Sequence, residues 1–90
     1  MSESAIAAGK LWVEQSLAAL AAEMRVALTN VQWIATPDGF DRGYHLVQIS
    51  IGGATRKDRI RDSDLEDVTA TGDIQIRLRH QLRQLLYHRP

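Results

Sequence analysis

His45, His80 and His88 are the residues of this chain best suited to acid–base or metal chemistry, because imidazole changes charge near neutral pH and ligates transition metals. Their spacing does not support a site. His80 and His88 are eight residues apart on a predicted helix, which separates them by about 12 Å along its axis. Two histidines that share one ion from a helix sit about one turn apart. The chain has no cysteine, so there is no thiolate ligand, thiol nucleophile or disulfide framework. "DSDLED", residues 62–67, offers carboxylates. A calcium loop, however, needs oxygens at alternating positions around a central glycine, and this run enters a predicted helix instead. No metal site is expected.

Nucleophilic chemistry has as little support. No serine stands in a Gly-x-Ser-x-Gly turn, and Gly52-Gly53 lacks the Lys-Ser/Thr and helix of a phosphate loop. The expectation is a non-enzymatic protein with no catalytic residues and no cofactor.

Charge is the next signal. Eleven basic residues balance eleven acidic ones, which argues against a surface built wholly for polyanions. The distribution is uneven. Arg56, Lys57, Arg59 and Arg61 fall in 54–61, five acids and no base fall in 62–73, and only arginines are charged after Ile74. One reading is a phosphate-gripping patch made by Arg56, Lys57 and Arg59 with Arg77, Arg79 and Arg83. The other is local: acids complement helix N-termini and arginines helix C-termini, at about 0.3–1 kcal/mol each. The local reading accounts for the order of signs.

The elements that would position these groups follow from apolar periodicity. Residues 4–26 are rich in alanine, leucine and glutamate, with only Gly9 opposing a helix. At about 100° per residue, Ile6, Val13, Leu17, Leu20 and Met24 share one stripe, and Trp12 lies off it. The period then changes to two. "TNVQWIAT" and "YHLVQISI" alternate and predict a hairpin, with a type I turn at "TPDG". Gly52-Gly53 predicts a tight turn into a third strand, "ATRKDRIR". Its charges suit a sheet edge. Ser63 and Glu66 form a capping-box pattern ahead of a short helix over about 64–70. Residues 73–88 predict the last helix, on the stripe Ile74, Leu78, Leu82 and Leu85, although "DIQIRLRH" also alternates like a strand.

The predicted architecture is α+β in one domain over residues 1–90. It runs helix, three-stranded antiparallel meander, short helix and C-terminal helix, with the helices packed on one face of the sheet. The expected core is the helix stripes with Val31, Trp33, Val47, Ile49 and Ile51. The order of elements is similar to that of double-stranded RNA-binding domains, in topology and not in motif. Such domains meet phosphate with basic residues at the start of the last helix. Here that start is Gly72-Asp73 with Asp67 before it. Acids there repel phosphate, so membership is not expected.

A strand sends successive side chains to opposite faces. If Val47 and Ile49 face the helices, then Ile34, Tyr44 and Leu46 face away and leave an apolar patch of the kind that marks interaction sites. Trp12 is a second candidate contact. The expected function is therefore a protein-interaction or self-association module, its partner a second copy (a homodimer) or another protein. The alternative is a nucleic-acid-associated accessory protein using the basic strand and last helix. "LAALAAEMRVAL" is too short and too charged to span a membrane, and no basic-start signal segment is visible. Both features, with the absence of cysteine, fit a cytoplasmic setting.

Overall fold

A computed structural model describes residues 3–34 and 43–87. The element order is α1 (Glu3–Met24), β1 (Leu28–Ile34), β2 (Tyr44–Ile51), β3 (Ala54–Arg61), α2 (Asp62–Asp67) and α3 (Gly72–Leu86). The strands form one antiparallel sheet in the order β1-β2-β3, so the α+β meander expected from the period change is the observed fold. Residues 36–39, read as a type I turn, and His88 lie outside the described residues.

The core is one cluster. Val13, Leu17 and Leu20 of α1 meet Val47 and Ile49 of β2, Leu65 of α2 with Val68 just after it, and Leu78, Leu82, Leu85 and Leu86 of α3. Val31, Trp33 and Ile51 pack against it but stay partly exposed. Ile60, absent from the expected core, is 1% exposed. It is the inward apolar residue of a strand otherwise dominated by charge. The "DIQIRLRH" ambiguity resolves as helix, because Leu78 and Leu82, one turn apart, both reach the core.

Local chemistry explains the junctions. Ile51 pairs with Ala54 across Gly52 and Gly53, whose φ values are +51° and +94°. Two positive φ values suit a tight hairpin matched to strand twist, and glycine adopts them without a Cβ clash. The capping box does not form. The residue before α2 is Arg61, no side chain caps that end, and Ser63 lies within the first turn. The acids there, Asp62 and Asp64, complement the helix start through their charge instead.

At the end of α1, Val26 N–H donates to Ala21 O (2.8 Å) and Arg25 N–H to Ala22 O (3.3 Å). This is a Schellman cap, which needs a left-handed residue at Arg25, and its φ is +56°. Arg25→Gly is expected to raise stability by about 0.5–1 kcal/mol, the left-handed penalty less glycine's extra chain entropy. That corresponds to a Tm higher by about 2–8 °C. A lower Tm in a thermal melt would contradict this account of the cap.

Candidate interaction surface

The pleat divides the sheet. Inward positions are Val31 and Trp33 in β1, His45, Val47 and Ile49 in β2, and Arg56, Asp58 and Ile60 in β3. The residues between them face away from the helices. On that open face Ile34, Leu46 and Arg59 form one row, and Gln32, Gln48 and Lys57 the next. Asn30, Ser50 and Thr55 form a third, and Tyr44 pairs with Arg61 at the other end.

Ile34, Tyr44 and Leu46, singled out in the sequence, are therefore brought together. Tyr44 is exposed and the two aliphatic residues are half-buried. The guanidinium carbons of Arg59 and Arg61 lie 5.9 and 6.0 Å from the Tyr44 ring centroid, within cation–π range. With Lys57 they make the face basic, and none of its described positions is acidic. An apolar corner beside three cations is the arrangement that periodicity alone left half-described.

Trp12 does not join this surface. It faces α3 and is half-buried, with Arg79 5.6 Å from its ring centroid. Arg83 lies 3.9 Å from Glu23 on the same side of the molecule, and all of these residues line a shallow groove between α1 and α3.

The basic residues of the alternative reading are likewise split. Lys57 and Arg59 are on the open face. Arg56 turns inward and donates to Leu85 O (3.1 Å) and to Tyr87 O, so its charge meets the carbonyl end of α3, where a cation is favourable. Arg77 Nη2 lies 2.6 Å from Oδ1 of the buried Asp64 and ties α3 to α2. Arg79 and Arg83 lie on the helical side with Trp12. The arginine-rich α3 and the basic strand do not converge on one surface.

His45 closes one end of the sheet. Its Nε2 contacts the buried Oδ1 of Asp62, and Asp62 N–H donates to Gly43 O at 2.8 Å. Ile6, Ala7 and Lys10 complete a small cleft there. No serine or threonine hydroxyl is bonded to this histidine among the described residues, and no group of three His, Cys, Asp or Glu side chains gathers there to hold a metal. The His45–Asp62 contact joins β2 to the start of α2. Lys10 and Glu14 of α1 both meet Trp33. The Lys10 ammonium is 5.2 Å from the ring centroid, and the indole N–H donates to Glu14 Oε2 at 3.3 Å.

Among the described residues no helix is long and apolar enough to cross a membrane. Set against family models, curated proteins and solved structures, the chain gives no match.

Proposed function

We propose that this domain is a non-enzymatic module that docks another polypeptide on the open face of its sheet. The observation that carries the reading is the juxtaposition of Ile34, Tyr44 and Leu46 with Lys57, Arg59 and Arg61 on one face. Apolar contact supplies affinity when water is excluded, and the cations select a partner whose apolar residues alternate with acids. The same cations oppose face-to-face stacking of two copies, which would gather six positive charges with no acid among the described positions of that face. A nucleic acid is the weaker fit. Tyr44 is the one aromatic described on that face, its ring already meets two guanidiniums, and Ile34 and Leu46 offer nothing to phosphate.

The test is selection of short random peptides on the immobilised domain. Enriched sequences are expected to combine Leu, Ile or aromatic residues with Asp or Glu. Leu46→Glu is expected to weaken their binding at least tenfold, about 1.4 kcal/mol, and to leave the Tm of the free domain nearly unchanged, because Leu46 lies outside the core cluster. Peptides that are basic, or that bind the Leu46→Glu variant equally well, would refute the assignment. So would tighter binding of a short single-stranded oligonucleotide that is lost on changing Lys57 and Arg59 to glutamate.

A further inference from the structure

We propose that a second copy of this chain pairs antiparallel with β1, about a two-fold axis at Gln32, to make one six-stranded sheet. The inference rests on the two edges of the sheet, not on its open face, and stands whether or not that face binds a peptide.

The β3 edge is closed by the chain's own side chains. Asp58 Oδ1 accepts the Arg59 N–H at 2.8 Å, and Gln81 Nε2, reaching over from α3, donates to Arg59 O at 2.8 Å. Charged residues along β3 add the usual protection against further pairing. The β1 edge differs. Leu28–Ile34 contains no charged residue and no proline. Leu28 N–H, at its irregular start, bonds to Val26 O (3.0 Å), and among the described residues no backbone group pairs with the outer side of Asn30–Ile34. An uncharged, unpaired edge of this length is a template for another strand.

The register follows from the ladder. Arg59 points both its backbone groups outward, so Leu46, its partner in β2, points both of its own toward β1. Residues alternate in this respect along an antiparallel strand. Ile34, Gln32 and Asn30 therefore bond to β2, while Val31 and Trp33 present N–H and C=O to the outer edge. The register shift between Leu28 and Asn30 disturbs the strand's first residues and leaves Asn30–Ile34 regular. A two-fold at Gln32 sets each Val31 opposite the other copy's Trp33 and uses all the undisturbed outward groups. An axis at Val31 would pair Trp33 with Thr29, inside the irregular end.

The helix above this edge fits the same partner. At about 100° per residue, Ala7, Leu11 and Ala18 lie within about 60° of Glu14, the α1 side chain bonded to Trp33, and on the far side of it from the buried Leu17. The stripe is uncharged, and Leu11 is 54% exposed. The proposed two-fold stands perpendicular to the sheet, so it brings these stripes of the two α1 helices side by side on the same face. Small residues there allow close approach, and the charges that flank the stripe, Lys10 and Glu14, are of opposite sign and both engage Trp33 of their own chain.

The test uses the absence of cysteine in the native chain. In a non-hydrogen-bonded antiparallel pair the Cα atoms are about 4.5 Å apart, within disulfide reach. Gln32→Cys is expected to form a covalent dimer on mild oxidation. Thr29→Cys is not, because its symmetry mate lies about 20 Å away at strand spacing. Gln32→Lys, at an exposed position, sets two ammonium groups face to face. It is expected to weaken the dimer at least tenfold in light scattering with Tm in dilute solution unchanged, whereas Leu46→Glu leaves the dimer intact. A wild-type chain that is monomeric at millimolar concentration overturns the proposal. So does a dimer that ignores Gln32→Lys, or one that the Gln32→Cys variant fails to trap covalently.

Discussion

Gly9→Ala is expected to lower the stability of this domain by about 2–3 kcal/mol, against the direction that helix propensity gives. In an isolated helix the change would be favourable by about 0.8–1.0 kcal/mol, since alanine loses less backbone entropy than glycine. Here α1 crosses α2 so closely that a Cβ at Gly9 would stand 1.9 Å from Leu65 O, 2.6 Å from Leu65 C and 2.8 Å from Leu65 Cα. All three are backbone atoms, so no side-chain rotation relieves the clash and α2 must move. That movement drags Leu65 and Val68, both fully buried, out of a packed core. Overpacking of this kind costs about 1–3 kcal/mol and at times more, and an immovable backbone neighbour places this case at the upper end. The measurement is denaturant unfolding with Gly72→Ala as control. Nothing lies within 4 Å of a Cβ at Gly72, so that variant should be neutral or slightly stabilised. A Gly9→Ala variant as stable as wild type would mean that α1 and α2 do not approach as described.

The second large effect is at Ile60. Ile60→Ala is expected to cost about 2–4 kcal/mol, the lost transfer energy of the side chain plus the cavity left behind. Ile60 is 1% exposed and belongs to the cluster shared by α1, β2 and α3. Its strand neighbours Arg59 and Arg61 are exposed on the other face, so no adjacent side chain can turn in to fill the space. The corresponding fall in Tm is about 8–30 °C. Leu46→Ala, on the open face, should cost less than half as much. Similar losses for the two variants would mean that the open face is buried as deeply as the core, which would remove the basis of the proposed interaction surface as well.

What the sequence determined by itself is what depends on local period and backbone chemistry. The 3.6-residue stripe of Ile6, Val13, Leu17, Leu20 and Met24 identified α1 and the side it buries. The change to a two-residue period marked the hairpin. Two glycines in succession marked the turn at 52–53. The pleat assigned Val47 and Ile49 to the core and Tyr44 and Leu46 to the open face, because one strand cannot send neighbours to the same side.

Other properties were settled only when distant segments met. Gly9 looks like a flaw in a helix until Leu65 lies against it. Ile60 looks like a lone apolar residue in a charged strand until the helices cover it. Arg56 reads as one of a basic cluster, yet its guanidinium belongs to the carbonyl end of α3. The pleat sends it and Lys57 to opposite faces, but which of the two meets a helix carbonyl depends on what packs above the sheet. The two edges are the last example. Both β1 and β3 are edge strands by order alone; the charges of β3 are visible in its sequence, but Gln81 reaches Arg59 O only because α3 packs beside that strand. Side-chain direction along a strand is a local property, whereas the element that meets it is chosen by packing between residues far apart in the chain.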